Sequence, residues 1–182
     1  KNKNPDGSES IDFILAADSA DVAITHRFTV KPDNYMIDFT VDLKNAGNLF
    51  AQGIMNVSWQ NQAKQTEKQI GTEKENAHIG YVQDGDFDYH TIGMRSDKEF
   101  SKPVQWVSVK QRFFNTSLVA KNNFTSGKIE WTTPPDKDST VVAAVANMRL
   151  QVPAGNTAAI PFAFYYGPTD YKILKKYDMK ME

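Results

Sequence analysis

Asp84, Asp86 and Asp88 stand at alternate positions and are the nearest approach to a metal site in the sequence. Alternating carboxylates open a calcium loop, but such a loop also needs glycine at its sixth position and glutamate at its twelfth. Those positions hold Tyr89 and Arg95. A charged hairpin tip at Asp84-Gly85 accounts for the aspartates without a metal. The histidines are His26, His78 and His90. His26 falls on the apolar side of an alternating segment and reads as a core histidine with a satisfied ring. His78 and His90 flank the same predicted hairpin and could approach each other, but they lack a third ligand at a telling spacing. There is no cysteine, which excludes a thiol nucleophile, a zinc–cysteine site and a disulfide scaffold. No Gly-x-Ser-x-Gly elbow, phosphate loop or dinucleotide fingerprint occurs. The sequence therefore predicts no enzyme, with no catalytic, cofactor-binding or metal residues.

The elements that would carry these residues are strands. Val, Ile, Thr, Tyr, Phe and Trp make up 58 of 182 residues, whereas Leu occurs six times. β-Branched and aromatic side chains suit a pleated surface, and leucine is a leading helix former. Ile11 to Ala16 reads as a short strand, followed by a turn over 17–21. Val22, Ile24, His26, Phe28 and Val30 alternate with smaller or polar residues, and Tyr35, Ile37, Phe39, Val41 and Leu43 do the same beyond Pro32-Asp33. Two period-two runs across a turn predict an antiparallel hairpin over 22–43. Further strands are expected over 53–61, 79–83, 87–92, 127–133, 142–152 and 158–166. Residues 104–120 read as one long strand or two joined at a bulge. Gln62 to His78 is polar and reads as a solvated loop, with a short helix as the alternative.

The last element differs. Gly167-Pro168 resembles a helix start, with glycine at the cap and proline at the first helical position. Tyr171, Leu174 and Tyr177 follow at helical spacing, with Lys172, Lys175 and Lys176 turned outward. A helix over 168–178 is expected, docked through its apolar stripe.

Lys and Arg total 21 against 22 Asp and Glu, a net charge of −1. That balance argues against a nucleic-acid partner bound through counterion release. The longest apolar stretch, Ala158 to Tyr166, is far shorter than a membrane span. The chain opens on polar Lys1 to Ser8 without methionine, which predicts the cut end of a larger or processed protein. Residues 1–10 are expected to be linker or disordered, and 11–182 to form a single domain.

Three stretches together resemble a known family. Trp106-Val107-Ser108-Val109-Lys110-Gln111-Arg112-Phe113 is similar to the Trp-Val-x-x-x-Gln-x-Phe strand of the periplasmic domain of YidC-type bacterial membrane-protein insertases. Phe164 to Lys175, reading Phe-Tyr-Tyr-Gly-Pro-Thr-Asp-Tyr-Lys-Ile-Leu-Lys, resembles that family's segment as Bacteroidetes-type members carry it. The hairpin from Phe28 to Tyr35, then Val41 and Asn45-Ala46-Gly47, fits the same order.

The resemblance implies an all-β, twisted two-sheet supersandwich, similar in fold to galactose mutarotase and ended by a short helix. It implies a non-catalytic domain without cofactors on the periplasmic side of the bacterial inner membrane. The parent would be membrane-embedded, with one membrane helix before the domain and a five-helix core after it. Nascent membrane proteins would engage that core, which is not in this chain. The implied partners of the domain are Sec translocon components such as SecD/SecF. Tyr171, Lys172, Leu174, Lys175, Lys176 and Tyr177 are the expected partner or membrane-coupling residues. The family's domain is longer on its N-terminal side, so this chain reads as its C-terminal portion, with an unpaired strand edge. Two other readings remain: a carbohydrate- or peptide-binding β-sandwich, and an epimerase-like enzyme supported by fold analogy alone.

Overall fold

A computed structural model describes residues 2–17 and 21–179. Thirteen strands follow one another: β1 (Asn2–Lys3), β2 (Glu9–Ala16), β3 (Ala23–Val30), β4 (Met36–Lys44), β5 (Ile54–Lys64), β6 (His78–Gln83), β7 (Asp86–Thr91), β8 (Asp97–Phe100), β9 (Val104–Lys110), β10 (Phe114–Phe124), β11 (Ser126–Thr132), β12 (Thr140–Gln151) and β13 (Thr157–Pro168). Two short helices are added, α1 (Ile70–Glu75) and α2 (Tyr171–Lys176). The strands form a nine-stranded sheet, β1-β2-β3-β4-β13-β10-β9-β6-β7, and a four-stranded sheet, β5-β12-β11-β8. Every pairing is antiparallel. This is the mostly β chain that the composition predicts, in the two-sheet sandwich that the resemblance implies.

The 22–43 hairpin forms as expected, with Phe28 opposite Phe39. Asp84-Gly85 closes β6 and β7, both residues with positive φ, as a tight two-residue hairpin requires. In β12, Val142, Ala144, Ala146, Met148 and Leu150 are all buried, so one side of the strand lies against the larger sheet. The main core gathers these with Leu43, Val41, Ile160, Phe162, Val107, Leu118 and Trp131.

Four expectations give way. Residues 104–120 form not one strand or a bulged pair but a hairpin, β9 and β10, turning at Gln111 to Phe113. That turn has no Gly, Pro or Asn, and contacts from elsewhere hold it: Gln111 Nε2 donates to the Lys64 carbonyl at 2.8 Å, and the Thr169 hydroxyl donates to the Arg112 carbonyl at 2.7 Å. Within 62–78 the solvated loop gives way to the short-helix alternative, because β5 runs on to Lys64 and α1 packs a fully buried Glu73 inward. Residues 1–10, expected as linker or disorder, contain β1, which pairs with the start of β2. The intervening turn is fastened by Asp6, whose carboxylate accepts from the Ser8 amide and hydroxyl. Of the turn expected over 17–21, Asp18 to Ala20 lie outside the described residues.

The fourth concerns the end of β13. The strand continues through Gly167 and Pro168, with Pro168 opposite Phe114, so neither residue starts the helix. The last amide bond toward the β4 side is Tyr166 N–H to the Tyr35 carbonyl. Amides alternate in direction, so the N–H that Pro168 lacks would point to that side, where the β4 ladder has ended at Met36. The cap of α2 is Asp170, whose carboxylate accepts from Ile173 N–H at 3.2 Å. The helix is therefore shorter than the expected 168–178.

Candidate functional site

The residues singled out as chemical candidates are held apart. Asp84 sits in the hairpin turn and pairs with Lys102 at 2.8 Å. Asp88 accepts from the Tyr81 hydroxyl at 2.9 Å and from the Tyr89 amide. Asp84 and Asp88 thus answer to separate partners. His78 lies opposite Thr91 and His90 opposite Ile79, so the two rings are on opposite faces of the hairpin. His78 packs on Tyr89, while His90 Nε2 lies 3.3 Å from the Tyr81 hydroxyl and its ring stacks near Trp131. Burial pushes His90 down, as do Arg95 and Lys98, while Asp88 opposes them. Burial also pushes the Tyr81 phenol up. Among the described residues no three His, Asp or Glu side chains gather where a metal ion would sit.

His26 is not the core histidine that its alternation predicts. It does share a sheet face with Phe13, Phe28 and Phe39, but it is exposed, its ring edge-on to Phe39 at 5.4 Å. The face is apolar as read, yet nothing among the described residues covers it there.

The expected coupling helix is built on the outer face of the larger sheet. Trp106 from β9, Val119 from β10, Ala163 and Tyr165 from β13, Val82 from β6 and Met36 from β4 form a second, smaller core. Leu174 and Met179 close it from above, both almost fully buried. Tyr177 packs edge-on against Tyr165, and its hydroxyl accepts from the Tyr35 amide at 3.0 Å. Burial pushes the Tyr165 phenol up, and that hydroxyl donates to the Pro168 carbonyl at 2.7 Å, fixing the exit from β13. Tyr171, expected in the docking stripe, is instead exposed with Lys175 Nζ 5.8 Å from its ring centre. At 100° per residue the buried side centres on Ile173, Leu174 and Tyr177, and position 171 lies well off that arc. Lys172, Lys175 and Lys176 fall on the opposite side and are exposed.

A buried staple behind this helix has no sequence signal. Glu73 accepts from the Thr66 amide and hydroxyl, from the Glu67 amide, and from Gln111 Nε2 at 2.8 Å. Burial alone would push its carboxyl up, but these donors outweigh it and hold the carboxyl below its ordinary value. Glu73 is one of three glutamates in a polar run, and nothing local marks it. Gln111 does belong to the Trp106–Phe113 stretch, and its role there is now explicit: it ties the β9–β10 turn to α1 and β5. The same turn holds the start of α2, through Thr169 N–H to the Phe113 carbonyl at 2.9 Å.

The model of the YidC periplasmic domain family matches residues 1–182. A membrane protein insertase YidC of Bacteroides fragilis is 28% identical over 176 residues, covering 95% of this chain and 28% of its own length. Its counterpart in Porphyromonas gingivalis is 28% identical over 179 residues, again 95% of this chain and 28% of the relative. One from Cytophaga hutchinsonii is 24% identical over 165 residues, 84% of this chain and 26% of the relative. The chain thus spans about 28% of the length of the first two relatives. No described helix is long and apolar enough to cross a membrane. The all-β sandwich ended by a short helix is what the resemblance led one to expect, and the chain belongs to the YidC periplasmic domain family.

Proposed function

We propose that this chain is the non-catalytic periplasmic part of an inner-membrane protein insertase, and that it docks Sec translocon components such as SecD/SecF while orienting the membrane core. Nascent membrane proteins would be handled by that core. The observation that carries the reading is the way α2 is fastened. Leu174 fills the second core, Tyr177 is bonded to Tyr35, and the β9–β10 turn grips Thr169, so α2 is held in one orientation on the sandwich. Lys172, Leu174, Lys175, Lys176 and Tyr177, with the exposed Tyr171, are the coupling residues in this reading. The open inner face of β2 and β3 supports the view that further strands of the parent complete the sandwich. In the full-length parent, Leu174→Asp with Tyr177→Asp is expected to impair insertion of dependent substrates, whereas changes at Asp84 to Asp88 should not. Insertion at the normal rate in the helix variant would reduce α2 to a lid on the core.

A second reading, a glycan- or peptide-binding module, has one observation in its favour. The outer face of the four-stranded sheet carries a groove of about 660 Å³ lined by Asn56, Ser58, Asn147, Arg149 and Glu99. Calorimetric titration with oligosaccharides and peptides separates the two readings, since a saturable micromolar ligand would favour the module.

A further inference from the structure

Seven aromatic side chains are exposed among the described residues, and their distribution is uneven. Five of them, Tyr35, Phe113, Phe114, Tyr166 and Tyr171, lie at one end of the nine-stranded sheet. Contacts bring them together: Phe114 lies opposite Pro168, Thr169 N–H reaches the Phe113 carbonyl, and Tyr166 N–H reaches the Tyr35 carbonyl. Tyr35 is bonded in turn to Tyr177, just past α2. Tyr35 and Phe113 stand on chain reversals, Phe114 at the start of β10, Tyr166 near the end of β13 and Tyr171 on the first residue of α2, so they edge the end of the sandwich.

The charges beside them sharpen the picture. Lys172, Lys175 and Lys176 are exposed, and none has a carboxylate partner among the described residues. Arg112 lies over the Phe113 ring, 5.0 Å from its centre, and is held by Glu67 at 3.2 Å, so the exposed cations left free at this end, among the described residues, are the three lysines. The other exposed apolar area, on β2 and β3, is different in kind. It holds Phe13, Ile11 and Leu15, and the nearby cations Arg27, Lys31 and Lys44 are all engaged by aspartates. Rings with polar tips, neighbouring phenylalanines and lysines on long stems form the combination that settles at the boundary of headgroups and acyl chains. Unpaired lysines near such a boundary add attraction to anionic lipid.

We propose that this end of the sandwich lies on the surface of an anionic phospholipid membrane. Phe113, Phe114 and Tyr171 enter the headgroup layer, and Lys172, Lys175 and Lys176 meet its phosphates. The inference rests on the reading that the chain adjoins a membrane in its parent. It goes further in making the β9–β10 turn, and not the helix alone, the contact.

The test places a reporter in the turn. Trp59, Trp106 and Trp131 are buried, so a tryptophan introduced by Phe113→Trp is the one in reach of lipid. The chain is held by an N-terminal histidine tag on vesicles of phosphatidylethanolamine and phosphatidylglycerol, with a trace of nickel-chelating lipid and brominated acyl chains. Tethering keeps a weak contact measurable. The introduced tryptophan is expected to be quenched, while one introduced by Phe13→Trp on the opposite apolar area is not. Without the tether, the triple change of Lys172, Lys175 and Lys176 to Gln should lower vesicle partitioning on the order of 100-fold at low salt. An unquenched reporter at 113, or equal quenching at 13, overturns the proposal. If the Leu174 and Tyr177 variant of the parent still fails to insert substrates in that case, the coupling role of α2 stands and only the lipid contact falls.

Discussion

The two halves of the nine-stranded sheet were written in the same alternating code and ended differently. From β4 through β13, β10 and β9 to β6, the inner side chains lie against the four-stranded sheet, and Leu43, Ile160, Leu118 and Val107 are nearly inaccessible. Over the outer face of this half, α2 closes a second core. In β2 and β3 the pattern is as regular, but Phe13 is 57% and Leu15 72% exposed. A row of rings, Phe13, Phe28, Phe39 and Phe162, runs from the open wing into the closed core without a break, neighbouring centres 4.5 to 6.0 Å apart. Alternation therefore identifies the face of a strand that is made for burial. Whether a second layer is there to bury it depends on other parts of the fold.

The sharpest contrast is in core energetics. Trp106 is 1% exposed beneath α2, and removing its ring by Trp106→Ala is expected to cost about 3–5 kcal/mol, as for other large-to-small changes in packed interiors. Phe13→Ala in the wing removes a ring of comparable bulk and should cost less than about 1 kcal/mol, because most of its surface is already in water. Urea unfolding of the two variants measures both. Equal losses would mean that the wing is covered in solution and the comparison fails.

A second contrast sets a buried carboxylate against surface ion pairs. Glu73→Ala would leave the Thr66 and Glu67 amides without their acceptor and take from Gln111 Nε2 one of its two, an expected loss of about 3 kcal/mol. Asp12→Ala in the wing breaks a pair with Arg27 whose members are both partly solvated, and about 0.2–1 kcal/mol is expected. The acid response has a definite sign. Glu73 is held below its ordinary value in the folded chain, so its contribution is full above the unfolded carboxylate value of about 4.3 and is lost as pH falls through the folded one. Denaturation curves between pH 7 and pH 3 should therefore fall more steeply for the wild type than for Glu73→Ala. Parallel curves would count against the staple.

What was legible in the sequence follows the same division between local and distant causes. The 22–43 hairpin could be read because its signals are local: two alternating runs and a turn at Pro32-Asp33. The face of β12 was legible for the same reason. The β9–β10 turn was not, since Gln111, Arg112 and Phe113 have no turn preference and are held by Glu73, Lys64 and Thr169, each distant in sequence. The helix does not start at Gly167-Pro168, because pairing with β10 overrides the cap signature that these residues carry. His26 lies on the face that its alternation indicates, but nothing among the described residues covers that face there. The six coupling residues were placed by a resemblance and a helical period. The structure divides them into a docked pair, Leu174 and Tyr177, and an outward set, Tyr171 and the lysines.

The smallest effect on stability should come with a large change in association. Ile11, Phe13 and Leu15 share the inner face of β2, and β1, beside it at the sheet edge, is two residues long. An apolar face beside a short edge strand is a site for contact with another copy. At high concentration the chain is expected to self-associate weakly and to bind a fluorescent hydrophobic dye in its folded state. Phe13→Ser with Leu15→Ser should suppress both while moving the unfolding free energy by no more than about 1 kcal/mol, since neither side chain is buried. The corresponding change in the closed half, at Leu118, would act oppositely, raising dye binding by opening the core. Sedimentation velocity across a concentration series distinguishes the cases. A wild-type chain that stays strictly monomeric and leaves the dye dark would show that the wing, despite its row of exposed rings, offers no adhesive surface, and that the difference between the halves is one of burial without consequence for association.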